Sequence, residues 1–273
     1  MSGELPRTKK PAKGFRQLAK SELFHVRECL TKELTADDQH ETIHRARTHL
    51  KKLRALLRLV RDYADPKLQR RQNRQLRAVA QSLSPARDCA ARLAALQKLY
   101  HHHPDLLSAD EYSMLEQTMT AQYARQCGLL AEAGNRLKDE LQATLQSIAT
   151  LPLKGLGQSD LRSGLKKTTR RLRKRYQHAR HSPTNENLHE WRKSTKDLTY
   201  QLHILRHVTP KFTYKRITRL KKLGEVLGDD HDLATVEITL SKTHPRMFKK
   251  LETPISKRRR KLQKAAFKLG RKL

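Results

Sequence analysis

The sequence predicts an all-α fold, and three observations lead to it. Leucine occurs 43 times against 12 for valine and isoleucine together. β-Branched side chains lose rotamer freedom in a helix and leucine does not. Eight prolines, from Pro66 to Pro254, mostly fall between leucine-rich segments of helix length, and a proline in a helix interior removes a hydrogen bond. The chain also repeats. His44-Arg45-Ala46-Arg47-Thr48-His49-Leu50-Lys51 lies over His189-Glu190-Trp191-Arg192-Lys193-Ser194-Thr195-Lys196 at an offset of 145, and Leu76, Val79, Leu83 and Asp88 lie over Leu220, Leu223, Leu227 and Asp232 at 144.

Read in order, residues 1–13 form a basic tail with two prolines, and a first helix runs over 14–34. A second, 38–63, carries Ala46, Leu50, Leu53, Leu57 and Val60 on one face. Pro66 starts a helix over 66–83, and Pro210 is its counterpart in the repeat. Ser84 and Pro85 suit the N-cap and first position of a helix over 86–101, which stops before Pro104. A long helix is expected over 108–148, and the Pro/Gly-rich stretch 151–157 reads as a linker. Beyond it come 158–181 before Pro183, 185–208 before Pro210, 211–227, 229–242 with Gly228 as N-cap, and 246–270. The chain thus divides into halves of one helical plan, 14–150 and 158–273.

Charge narrows the function. Lys and Arg number 59 and Asp and Glu 27, a net +32, which calls for a polyanionic partner. No run of about 18 apolar residues exists to span a membrane, and Met1–Phe15 lacks the apolar region of a secretory signal. Cys29, Cys89 and Cys127 are scattered and unpaired in pattern, as in reduced cytoplasmic proteins. Aromatic content of 5% argues against a base-stacking platform.

The repeated helices carry the candidate site. His44, Arg47, Lys51, Arg54 and Arg58 recur at spacings of three and four beside the apolar face, and His189, Arg192, Lys196, His203 and Arg206 form the corresponding stripe. Stacked cations repel one another on an isolated helix, and a row of bound phosphates relieves that repulsion. A solvated basic surface is the plainer reading of one such stripe, but recurrence in both halves weighs against it. A looser echo places Lys20 and Arg27, with Arg16, over Lys166, Arg173 and Arg162.

These motifs resemble the CHAD family, the conserved histidine α-helical domain. The resemblance rests on His44-x-x-Arg47-x-x-x-Lys51-Lys52-Leu53-Arg54 with Leu83-Ser84-Pro85-Ala86-Arg87-Asp88, and on Leu188-His189-Glu190-Trp191-Arg192-Lys193 with Leu227-Gly228-Asp229-Asp230-His231-Asp232-Leu233. It implies two helical bundles of about four helices each, related by a pseudo-twofold axis. It also implies binding of inorganic polyphosphate in a pore or groove lined by both halves, a role that falls on His44, Arg47, Lys51, Arg54, His189, Arg192 and Lys196. Thr199 stands where the second motif of the family has arginine.

Asp88 and Asp232 read either as first-turn acids favoured by the helix dipole or as carboxylates that orient the basic lining. His40 with His44, and His203 with His207, are spaced i, i+4, but no third ligand completes a metal site. No P-loop, nucleophile elbow or paired acidic motif appears, so neither enzyme, cofactor nor metal is expected. The expectation is a cytoplasmic polyphosphate-binding domain, with association to polyphosphate or polyester storage granules. An architectural nucleic-acid binder and a structural protein of granules are the alternatives.

Overall fold

The computed structural model describes residues 4–5, 10–31, 36–63, 65–207 and 213–273. Within them the chain forms ten α-helices, one short 3-10 turn and no strand. They are α1 (Pro11–Thr31), α2 (Ala36–Leu59), α3 (Pro66–Ser82), α4 (Ser84–His102), α5 (Ala109–Glu132), α6 (Gly134–Ala149), α7 (Gln158–His181), α8 (Asn185–Ile204), α9 (Thr213–Thr243) and α10 (Pro245–Gly270). Pro210, the ends expected at 32–34, 208 and 211–212, and residues 1–3 and 6–9 of the expected tail lie outside the described residues.

Local chemistry sets several helix starts. Asp65 caps α3, its carboxylate accepting from the Lys67 amide at 2.6 Å, with Pro66 at the first position. Ser108 and Glu111 form a reciprocal capping box on α5. Glu111 also receives Lys250 of α10 at 2.6 Å, which ties α5 to the end of the chain.

Three expectations need correction. The span 108–148 is two helices that turn at Ala133, because α5 packs on α4 while α6 packs on α1 and α3. The spans 211–227 and 229–242 are one 31-residue helix, so Gly228 is interior and caps nothing. Ser84 is not an N-cap either. Its hydroxyl donates to the Ala80 carbonyl at 2.9 Å, and α4 starts directly after the buried Leu83.

Apolar side chains form three clusters. The first joins α1, α2, α3 and α6 around Phe15, Leu50, Leu53, Leu76 and Leu137. It also takes in Leu151, Leu153 and Leu156, so leucines pin the 151–157 connection to the core. Leu5 belongs to it too, its amide donating to the Ile204 carbonyl at 2.8 Å. The third cluster joins α7 to α10, with fully buried Trp191 stacked on Phe267 at 5.4 Å. The second crosses between the halves: Leu96 and Leu99 of α4 and Leu115 of α5 pack with Leu233 and Val236 of α9 and Ile255 of α10.

The two motif helices meet in the middle. α2 packs against both α7 and α8, and Gln201 of α8 donates to the Ala55 carbonyl of α2 at 3.1 Å. Gly164 permits the approach of α7: a Cβ there would lie 2.1 Å from the Leu59 carbonyl oxygen. No helix among the described residues is long and apolar enough to cross a membrane.

Candidate anion-binding site

With α2 and α8 side by side, the cations of their two stripes come together. On α2, Arg47 donates to the Ala80 carbonyl at 2.6 Å and the Ser84 hydroxyl at 2.5 Å, which fixes its guanidinium at the α3–α4 junction. On α8, Arg192 and Lys196 lie across α9. A Cβ at Gly228 would sit 3.6 Å from the Arg192 guanidinium, and one at Gly224 only 3.1 Å from Lys196 Cε. Interior glycines cost a helix about 1 kcal/mol each; Gly224 leaves room for the Lys196 stem, while the distance at Gly228 is ordinary contact. Arg87 of α4 completes the group, 3.2 Å from Asp88 and 3.6 Å from Asp232 of α9.

The electrostatics show how crowded these cations are. Burial first, then Arg47, Arg192, Arg87 and Lys196, hold the Lys51 ammonium down to about 7 from its ordinary 10.5. Arg47, Arg192 and Lys196 are lowered too, burial again leading. The rings of His189 and His231 lie 4.4 Å apart between centres, tilted by 39°, and burial, with Arg192 among the neighbouring charges, holds both at about 4. At neutral pH these rings are uncharged hydrogen-bonding groups. His44, at the N-terminal side of the stripe, is also lowered, by partial burial and then Lys51.

Asp88 and Asp232 are the carboxylates inside this group. Neither lies in a first turn, so the capping reading gives way to the orienting one. Both favour the charged form of Arg192. They do not saturate the cluster: the Arg47 Nε and Arg192 Nε donors and the His189 Nδ1 atom are buried with no hydrogen-bond partner among the described residues. Buried donors are paired in the great majority of cases, so an arrangement of this kind fits an oxyanion.

A cavity of about 850 Å³ opens beside the cluster. His44, Arg87 and Asp232 line it on the cluster side, and Lys257, Arg258 and Lys261 of α10 line it opposite. A smaller one of about 480 Å³ lies farther along α2, formed by Arg54 with Arg70, Asn73, Arg74 and Arg77 of α3. The helix rise of about 1.5 Å per residue puts Arg54 roughly 15 Å from His44 along the stripe.

A family model described as the CHAD domain matches residues 19–241, the segment that carries both stripes. The chain belongs to the CHAD family. The CHAD fold is seen also in the crystal structure of the CHAD domain from the plant Ricinus communis. That structure matches with a TM-score of 0.69 at 20% identity, over 96% of this chain and 92% of that one. Comparison with curated proteins gives no match. The family is associated with polyphosphate binding in general.

Within this CHAD chain the expected residues separate into three groups. His44, Arg47, Lys51, His189, Arg192 and Lys196 converge. Arg54 stays on the stripe but turns to Asn73, to which it donates at 3.0 Å. Its counterpart Thr199 is buried and donates to the Thr195 carbonyl, so the second stripe stops at Lys196. Arg58 is drawn off by Asp197 at 2.8 Å, which also holds Arg171 of α7 at 2.7 Å. Arg206 pairs with Glu4 at 3.1 Å, and His203 is half-buried near Lys221. Lys20, Arg27, Lys166 and Arg173 are exposed and bond to no member of the cluster. Arg87 and His231 were missed as site residues. They occupy one position of the repeat, 144 residues apart and each just before its aspartate, and that spacing was the available signal. No group of His, Cys, Asp or Glu able to hold a metal occurs among the described residues, and the three cysteines are buried thiols.

Proposed function

We propose that this CHAD protein binds inorganic polyphosphate without turning it over, along the cations of α2 and α8. The observation that carries the reading is the convergence of Arg47, Lys51, Arg87, Arg192 and Lys196 on one cluster. Two aspartates face them, and two guanidinium Nε donors remain unmet. Such a cluster is unfavourable alone and is relieved by a ligand charged on every unit. The stripe continues to the arginine pocket at Arg54, Arg70 and Arg77, which suits a linear anion longer than a single phosphate. Association with polyphosphate granules would follow from the same binding.

Titration calorimetry with long-chain polyphosphate and with duplex DNA of equal charge, at one fixed salt concentration, tests the reading. Both affinities fall with salt through counterion release, so only their ratio at that salt is diagnostic. Tighter binding of polyphosphate is the expected outcome, and equal or tighter DNA binding would favour the nucleic-acid alternative. Incubation with polyphosphate and Mg²⁺ is expected to release no orthophosphate above a heat-killed control.

A further inference from the structure

The large cavity has a wall that a bare phosphate chain does not need. Polyphosphate has no apolar part, yet Ala91, Ala94 and Leu99 of α4, Leu233 of α9 and Pro254 of α10 line the space. Cations stand around them: Arg87 on the side of the cluster, Lys257, Arg258 and Lys261 along α10. Lys257, Arg258 and Lys261 look in the sequence like part of an undifferentiated basic run, but the helix sorts that run. Arg258 lines the cavity, while its neighbour Arg259, half-buried, is held in ion pairs with Asp230 at 3.2 Å and Glu237 at 2.5 Å.

We propose that this cavity takes a nucleoside polyphosphate, with its ring on the α4–α9 wall and its phosphates on Arg87, Lys257 and Arg258. The assignment of the phosphates rests on the reading of the adjoining cluster as a phosphate site. An apolar wall with a few convergent polar groups, in a volume of about 850 Å³, has the make-up of a small-molecule site. Alanines at 91, 94 and 95, spaced three and four apart on α4, leave the floor open. Thr253, His103 and Asp229 interrupt the apolar lining. An acyl chain offers them no hydrogen-bond partner, whereas a heteroaromatic edge and ribose hydroxyls satisfy them. Asp229 repels phosphate and so belongs on the nucleoside side, while Asp232 is engaged by Arg87. Guanidinium and imidazole planes in the lining, Arg258 and His102 among them, supply stacking surfaces in place of Phe, Tyr or Trp.

The test compares ATP with tripolyphosphate on the full chain, by calorimetry at equal salt without divalent cations. ATP is expected to bind at least tenfold tighter. Ala94→Trp, which fills the floor, should bring ATP to the level of tripolyphosphate while long-chain polyphosphate stays within twofold of the unmodified protein. Thr253→Trp, at an exposed position of α10, takes its place if the first variant does not fold. Arg87→Ala should weaken ATP and tripolyphosphate alike. ATP binding no tighter than tripolyphosphate, with long-chain polyphosphate still bound, overturns this proposal and leaves the polyphosphate reading standing. Failure of all three to bind overturns both. Dodecyl phosphate binding more tightly than ATP would assign the wall to acyl chains and overturn the nucleotide.

Discussion

Replacing Lys51 by methionine should move stability and affinity in opposite directions. Among the described residues Lys51 makes no ion pair; it is surrounded by Arg47, Arg192, Arg87 and Lys196, and its ammonium is held at about 7 against an ordinary 10.5. At pH 7 the unfolded chain carries this proton fully and the folded chain only about half, so folding works against it. At about 1.36 kcal/mol per tenfold, the gap sets an upper bound of roughly 5 kcal/mol. Solvent reaching the half-buried side chain reduces this to about 1–3 kcal/mol. Lys51→Met keeps the length of the side chain and removes the charge, so its melting temperature at pH 7 should rise by a few degrees. The gain should fade as pH climbs from 7 towards 10.5, because the unmodified protein recovers its stability over that window as the ammonium deprotonates in both states. Polyphosphate affinity should fall meanwhile, by the roughly 1.5–3 kcal/mol of one charge-assisted hydrogen bond, or about 10–150-fold. Thermal melts and calorimetry on Lys51→Met, beside the exposed control Lys174→Met, decide it. A destabilised Lys51→Met, or one that binds polyphosphate as well as the control does, refutes the reasoning.

Other outcomes follow from the same geometry. Arg47→Glu with Arg192→Glu and Lys138→Glu with Lys174→Glu change the net charge equally, by −4. Among variants shown to be folded by circular dichroism, only the first pair should lose more than about tenfold in calorimetric affinity for polyphosphate, one charged contact alone being worth that much. Arg258, which lines the cavity, and Arg259, held in ion pairs, would be poor neutral controls. Phosphate binding raises the Lys51 value, so polyphosphate affinity should decline as pH rises above 7. His189 and His231, at about 4, are already neutral there, and Lys51→Arg should flatten the profile; a flat profile for the unmodified protein would show that Lys51 is not at the ligand. Gly164→Ala places a Cβ against the Leu59 backbone and should destabilise by at least about 1–3 kcal/mol, read as a lower urea midpoint; an unchanged midpoint would mean that α2 and α7 can move apart freely.

The helical class and most helix positions were legible because leucine content and proline punctuation act locally. The errors arose where packing overrode local signals. Gly228 resembles a cap in sequence, but it lies inside α9, which runs unbroken from Thr213 to Thr243 along α8, α10 and α4. The span 108–148 has no proline, and its turn at Ala133 falls next to Gly134, where its two parts diverge to pack against different helices. The motif cations on α2 and α8 were identifiable through their recurrence. Arg58 and Arg206 followed the same periodicity, but acids from distant segments, Asp197 and Glu4, hold them. Periodicity gives the face of a helix and says nothing of what long-range partner waits there.

The core shared by α4, α5, α9 and α10 bears on how the chain is made. Leu99 leaves the ribosome 134 residues ahead of Leu233 and 156 ahead of Ile255, the side chains it is buried with. The α4–α5 pair therefore waits with its apolar side uncovered while more than a hundred residues are added. Contacts so far apart in sequence close slowly, and an uncovered apolar face is prone to aggregation meanwhile. Cutting the gene at the 151–157 connection would make that wait permanent for the first half and would strip α9 and α10 of the surface they close upon.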